Sequence, residues 1–443
     1  MTALAPTLVA AIQCTGTMHA LLTARLRLAG AVMSNASPQR SATMPANAAP
    51  LATSVGVQRQ MAIYQAGVQG QRPAYPLSVD ELEQRAKAVL TPEAYAYVAG
   101  AAGAEDTMRA NREGLRRWRI VPRFLRNVVQ RDLSVTLLGQ RLPAPVLLAP
   151  IGVQSILHPE GELAVARAAR SLGIPMVLST VSSVPMETIA QAMGDVPHWF
   201  QLYWPQNNDL AASFLARAER AGYSALVVTL DTYLLAWRER DLQKAYLPFL
   251  QAQGLANYLT DPVFRAALPA PPEKDPLQAV LYFLQVVSNP ALTWKDLAFL
   301  RRHTRLPILL KGILDPDDAR QALDHGVDGI IVSNHGGRQL DGAVASIDAL
   351  PRIARVVGDR AALLFDSGIR RGADVIKAVA LGAQSVLLGR PYCYGLAVAG
   401  EEGVREVLQN LLADIDLTLG LAGCASLADL SPSNLVEAPG RAQ

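Results

Sequence analysis

A (β/α)8 barrel, the TIM-barrel architecture, is the fold this 443-residue chain predicts, and three features point to it. Eight short apolar runs follow residue 143, segments with helical spacing separate them, and polar side chains gather where the runs end. Half of the residues are apolar and 18% are charged, enough apolar surface for one large core.

The chain reaches this pattern gradually. Residues 1–60 are expected to be a disordered leader: Arg25, Arg27, Arg40 and Arg59 are its only charges, and Asp80 is the first acid of the chain. The leader is rich in Ala, Ser, Thr and Pro and lacks a sustained apolar period, so it offers the core nothing. An organellar transit peptide has this composition, but an extended start with Met33, Met44 or Met61 as the later initiator is the favoured reading. Residues 61–142 read as an N-terminal helical segment. Ser78-Val-Asp-Glu81 has the spacing of a capping box ahead of Leu82, Ala86 and Leu90. A second helical stretch around Tyr95–Val98 runs into Gly100 and Gly103.

The barrel is expected over residues 143–430, with 431–443 as a tail. Its strands are Val146–Pro150, Pro175–Thr180, His198–Tyr203, Ala225–Asp231, Pro307–Gly312, Gly329–Asn334, Leu363–Gly368 and Ser385–Arg390. Each is too short for a helix and apolar without alternation, as a parallel strand covered on both faces must be. Asp209–Ala221 and Pro316–His325 typify the connecting helices, and Gly222 and Gly326 end them. The runs start 29, 23, 27, 82, 22, 34 and 22 residues apart, which is βα spacing with one long insertion. A doubly wound sheet is the alternative, disfavoured by eight like units and by the lack of a GxGxxG turn after the first strand. The insertion, residues 240–293, contains Pro269, Pro271, Pro272 and Pro276 and falls on the face where barrel enzymes carry lids.

Composition excludes several functions. Forty-one basic residues against 38 acidic ones leave +3, without the clustered excess of a nucleic-acid binder. No apolar stretch suits a membrane span. Cys14, Cys393 and Cys424 lie too far apart for a CxxC pair or a disulfide framework, which fits a reducing, cytoplasmic setting; no metal is expected.

The polar strand ends are Ser179, Gln201 with Tyr203, Thr229 with Asp231, Lys311, Ser333 with His335, Asp366, and Arg390. One such residue is a cap, but seven of eight strand ends carrying one is the pattern of an active site. The densest patch is Ser333–Gly342, SNHGGRQLDG. Arg338 offers a planar fork for a carboxylate, and the glycines let a ligand approach the backbone. His335 is placed to act as a base near neutral pH, with Asp231 as a carboxylate to steady it. Asp366–Arg371 and Gly389–Pro391 close the last two strands, where this fold binds phosphate, and Arg370 or Arg390 adds charge. Lys311 reads either as a salt-bridged lysine or as the Schiff-base lysine of an aldolase, the rival from a different class.

Together, SNHGGRQLDG, Gln201-Leu-Tyr203, Thr229-Leu-Asp231, Lys311-Gly312 and Asp366-Ser-Gly-Ile-Arg370 resemble the FMN-dependent L-α-hydroxy acid oxidases and dehydrogenases. The resemblance runs from residue 61 to 430, and residues 237–265 and Tyr64–Val68 are most similar to the lactate 2-monooxygenase branch. It implies FMN, a small lactate-like L-2-hydroxy acid as substrate, oxygen as acceptor and a homo-oligomer, a tetramer in much of the family. By position, His335 is the implied base, Asp231 its partner, and Tyr203 and Arg338 complete the catalytic group. Tyr97, Tyr203, Arg238, His335 and Arg338 are the implied substrate contacts. FMN is implied at Pro150, Ile151, Gly152, Ser179, Gln201, Thr229, Lys311 and Ser333. Its phosphate falls to Asp366, Ser367, Gly368, Ile369, Arg370, Gly389 and Arg390.

Some positions depart from the family. Gly152 stands where many oxidases have alanine and dehydrogenases often have glycine. Val181 stands where plant-type oxidases have tryptophan. Ala104 replaces an acid common in the monooxygenase branch, and Ala236 replaces a glycine ahead of Trp237. Three outcomes therefore stand: oxidative decarboxylation, release of peroxide by a plain oxidase, and a quinone- or cytochrome-linked dehydrogenase. The base takes its proton from Cα in one scheme and from the hydroxyl in the other.

Overall fold

All eight apolar runs form strands in the structure, a computed structural model that describes residues 54–438. They are β1 (Val146–Leu148), β2 (Met176–Leu178), β3 (His198–Leu202), β4 (Leu226–Thr229), β5 (Ile308–Ile313), β6 (Gly329–Val332), β7 (Ala362–Phe365) and β8 (Ser385–Leu388). Each pairs in parallel with the next, and β8 pairs with β1 to close the barrel. One side chain from every strand points inward: Leu147, Val177, Trp199, Val227, Leu309, Ile331, Leu364 and Leu387. Their neighbours, such as Leu148, Phe200, Val228 and Phe365, face the surrounding helices. Burial on both faces is why these runs show no alternation.

The segment before β1 shapes both ends of the barrel. A hairpin of Val135–Leu137 and Gln140–Leu142 sends Leu137 and Leu142 into the interior cluster and so plugs the mouth opposite the polar strand ends. Helices Val79–Val89, Pro92–Ala99 and Asp106–Arg117 precede it. Ser78 is the N-cap of the first, but its side chain makes no capping hydrogen bond, so the capping box does not form. Thr91 caps the second through Ala94 N–H at 3.2 Å, with Pro92 at N1.

Two expected boundaries move. The leader was expected to end at residue 60, and the reading of residues 1–53 lies outside the described residues. Helix Val55–Val68, however, begins inside it. Ser54 Oγ and the Gly56 amide both donate to Asp416 in the long helix Arg390–Leu421, and Arg59 pairs with Glu406. A Cβ on Gly56 would lie 2.6 Å from Leu417 Cγ, so a missing side chain brings the two helices together. At the other end, Leu435–Glu437 pairs antiparallel with Trp118–Ile120, making the start of the expected tail part of the fold.

Truncation separates the two leader boundaries. A chain starting at Ser54 is expected to keep the full melting temperature. A chain starting at Met61 loses the Ser54 and Gly56 bonds to a carboxylate and should lose about 2–3 kcal/mol of stability. Equal melting temperatures for the two would show that residues 54–60 add nothing.

The 82-residue step between the starts of the fourth and fifth runs holds short helices, among them Glu239–Gln243, Ala256–Leu259, Pro262–Ala266 and Pro276–Val286. Asn257, Tyr258, Asp261 and Phe264 are fully buried, and Arg217 reaches the Asn257 carbonyl at 2.7 Å and Asp261 at 3.1 Å. Among the described residues, no helix is long and apolar enough to cross a membrane, and no group of His, Cys, Asp or Glu is arranged to hold a metal.

Candidate active site

The C-terminal ends of the strands open into a cavity of about 350 Å³, within the range of small-molecule sites. His335 stands at its edge, in the turn after β6, with a positive φ of 58°. That backbone shape is held from several sides. The His335 amide donates to Ser333 Oγ at 3.0 Å, the Gly336 amide donates to Ser367 Oγ at 3.0 Å, and Asn334 exchanges amide bonds with Asn111 at 2.7 and 2.8 Å. His335 Nδ1 lies 2.8 Å from Asp231 Oδ1 and 3.2 Å from Thr232 Oγ1, so Nε2 is the nitrogen left for a ligand.

The charges of this pair follow from its surroundings. Burial lowers the His335 pKa below its ordinary 6.5; Asp231 opposes the shift, while Lys311 and Arg238 reinforce it. Burial alone would raise the Asp231 pKa, but His335, Lys311 and Thr232 outweigh it and hold the carboxyl below its usual range. At neutral pH the pair is therefore a neutral imidazole on a carboxylate, the resting form of a general base.

Lys311, at the C-terminal end of β5, donates to Ser333 Oγ at 2.8 Å and pairs with Asp366 at 3.0 Å. Burial would lower its pKa, yet Asp366 and Asp231 raise it. A lysine kept charged in this way is a poor Schiff-base nucleophile, which counts against the aldolase reading.

Four guanidinium groups, those of Arg238, Arg338, Arg370 and Arg390, line the same cavity. Burial, then the neighbouring arginines, bring the Arg238 and Arg390 pKa values down to about 10. Cations gathered this closely suit anionic ligands. In this structure Arg238 donates to the Arg338 carbonyl at 3.0 Å and to Gln339 at 2.8 Å. Arg338 Nη1 donates to the Tyr97 and Gly100 carbonyls, and its guanidinium lies 5.2 Å from the centre of the Tyr97 ring. Arg390 donates to the Val98, Gly100 and Gly336 carbonyls. The C-terminal carbonyls of helix Pro92–Ala99, which have no partner within the helix, thus find donors, and the helix that carries Tyr97 is seated against the cavity.

Of the residues the sequence singled out, Tyr97, Pro150, Ile151, Gly152, Tyr203, Lys311, Asp366, Ser367, Gly368, Ile369 and Gly389 line the cavity together with His335 and the four arginines. Asp231 stands behind His335. Ser179, Gln201, Thr229 and Ser333 lie outside the lining, and Thr229 borders a neighbouring cavity with Trp204 and Leu310. Ser179 donates to Gln201 Oε1 at 3.2 Å, as does the Thr180 amide at 3.1 Å, while Gln201 Nε2 is buried without a partner. A buried, unmatched donor beside a cationic cavity fits a heterocyclic, phosphate-bearing ligand such as FMN.

Several lining residues went unpredicted. Leu235, Leu247, Phe249, Leu284, Val287 and Ser288 come from the connection after β4, whereas Val181, which the sequence had marked as a departure from the plant-type tryptophan, lines the cavity from the loop after β2. Prolines 269–276 do not reach the cavity; its wall is built from residues on either side of them. Gln339, inside the decapeptide, binds the Asp231 and Leu234 carbonyls at 2.7 and 3.0 Å. Its place in that motif was the available signal.

A largely buried histidine–aspartate pair beside four arginines at the C-terminal mouth of a barrel suits proton abstraction from an anionic substrate, as in oxidoreductases of 2-hydroxy acids. A family model described as FMN-dependent dehydrogenase matches residues 86–437, and the chain belongs to that family, with FMN as its cofactor. An L-lactate oxidase of Lysinibacillus sphaericus is 44% identical, over 83% of this chain and 94% of the relative. The 2-hydroxyacid oxidase 1 of Homo sapiens is 39% identical, over 79% and 94%. A mandelate oxidase solved with (S)-4-hydroxymandelic acid superposes with a TM-score of 0.73 at 39% identity, covering 82% of this chain and 98% of that one. The chain is an FMN-dependent α-hydroxy acid oxidoreductase.

Proposed function

We propose that this enzyme oxidises a small, lactate-like L-2-hydroxy acid to the 2-keto acid and uses oxygen as the electron acceptor. The observation that carries this is the His335–Asp231 pair at the edge of a cavity that Arg238 and Arg338 line. The likeness to an L-lactate oxidase supports the choice of acid. When bound, FMN supplies the two-electron acceptor.

The roles of the side chains follow from their positions. Arg238 and Arg338 hold the substrate carboxylate; Arg338 uses only Nη1 in its carbonyl contacts, which leaves Nε and Nη2 for the acid. His335 Nε2 takes a proton from the substrate, and Asp231 stabilises the imidazolium that forms. Burial raises the Tyr97 and Tyr203 pKa values, so both phenols keep their protons and act as hydrogen-bond donors. The charged Lys311 steadies negative charge that develops on the cofactor side, and Arg370 and Arg390 hold the phosphate.

The wall formed by Leu247, Phe249, Leu284 and Val287 bears on the product. If it retains the keto acid, peroxide reacts with it before the two part, and L-lactate turnover in air yields acetate and carbon dioxide. Phe249→Ala is then expected to shift products toward pyruvate and peroxide while flavin reduction keeps its rate. Stoichiometric peroxide from the intact enzyme would make it a plain oxidase. Reduction without reoxidation by oxygen would make it a dehydrogenase.

A further inference from the structure

Glu162 is a buried carboxylate that the proposed reaction leaves unused. It lies in the first turn of helix Gly161–Ser171 and is 0% exposed. Its Oε1 accepts from two backbone amides, those of Gln154 and Ser183, each at 3.1 Å. Gln154 ends the loop that brings Pro150, Ile151 and Gly152 to the cavity, and Ser183 follows Val181, which lines the same wall.

The two loops meet around this oxygen. A Cβ on Gly152 would lie 2.3 Å from the Val181 carbonyl oxygen, so they already touch at the cavity. Behind that contact, Ser183 Oγ donates to Ser155 Oγ at 2.8 Å and accepts from the Ser155 amide at 3.2 Å. Gln154 Nε2 donates to the Ile151 carbonyl at 3.0 Å and carries the restraint to the lining itself. Glu162 Oε2 is buried and receives no hydrogen bond. Burial pushes the carboxyl up to about 7, against the pull of its hydrogen bonds.

We propose that Glu162 is a positioning residue: its single bonded oxygen latches the loop after β1 to the loop after β2 and fixes the wall against which FMN is seated. The proposal rests on the reading that Pro150–Gly152 face the flavin.

The test is FMN affinity and the visible absorption and circular dichroism of the bound flavin, measured on holoenzyme variants. Glu162→Ala removes the acceptor of two buried amides, and the FMN Kd should rise about tenfold or more, with the flavin bands moving toward those of free FMN. Glu162→Gln keeps Oε1 and replaces only the oxygen that accepts nothing, so it should return Kd and spectrum to those of the wild type. Glu162→Asp keeps the charge but withdraws the oxygen by one methylene; it should weaken FMN and remains informative if the alanine variant fails to fold. Wild-type Kd and spectrum in a folded Ala or Asp variant would overturn the positioning role. A wild type whose bound flavin L-lactate does not reduce overturns the functional reading instead, and leaves the latch to be judged on FMN affinity alone.

Discussion

Replacing His335 by glutamine is expected to leave FMN bound while slowing its reduction by L-lactate about a thousandfold. Glutamine can still hydrogen-bond toward Asp231 but cannot take a proton at neutral pH, so the loss falls on the chemical step. Lys311, Arg370 and Arg390, the residues proposed to hold the cofactor, keep their side chains in the variant. Anaerobic mixing in a stopped-flow spectrophotometer follows the flavin directly. Rapid bleaching in the variant would assign the base to another group.

Asp231→Asn should produce two effects of different kinds. The imidazolium loses its carboxylate, and the limiting rate of reduction falls roughly a hundredfold or more. The acid limb of the pH profile should move in the opposite sense to a general loss of function. In the wild type, kcat/KM is expected to fall as pH drops through the His335 pKa, which burial sets below 6.5 and Asp231 partly restores. Without Asp231 that restoring influence is gone, the histidine stays neutral to lower pH, and the limb shifts to more acid values. A slower enzyme with an unmoved limb would show that Asp231 orients His335 without tuning it.

The barrel was legible because its strands are buried on both faces, which makes each run apolar throughout and easy to count. The polar ends were legible for the complementary reason: in a barrel the strand ends converge, so His335, Lys311 and Asp366 reach one cavity from distant parts of the sequence. The insertion was legible as a lid, but which of its residues form the wall was not. Phe249 lines the cavity and Phe264 fills the core, yet both are phenylalanines in short, irregular helices with no period to separate them. Helix Val55–Val68 escaped for another reason: only Gly56 in it is buried, and close approach through a glycine leaves no apolar stripe. Glu162 was not singled out, because an acid in the first turn of a helix is ordinary and no local pattern signals that the loops after β1 and β2 fold over it. Ser333 Oγ accepts from Lys311 and from the His335 amide, a use that only the folded strand order determines.

The contacts at Asp416 have a consequence for how the chain is made. Ser54, Arg131 and Asp416 meet in one cluster, although 362 residues separate the first from the last. During synthesis the first two leave the ribosome long before their shared partner is translated, at about 5–20 residues per second. Helix Val55–Val68 therefore lacks its full seat until Asp416 has been translated, and it is expected to dock after the long helix Arg390–Leu421 has formed. Closing a loop of this length early is entropically costly, so the clasp belongs among the last native contacts to form. A nascent chain halted before Asp416 should leave residues 54–68 open to protease, and release of the full-length chain should protect them.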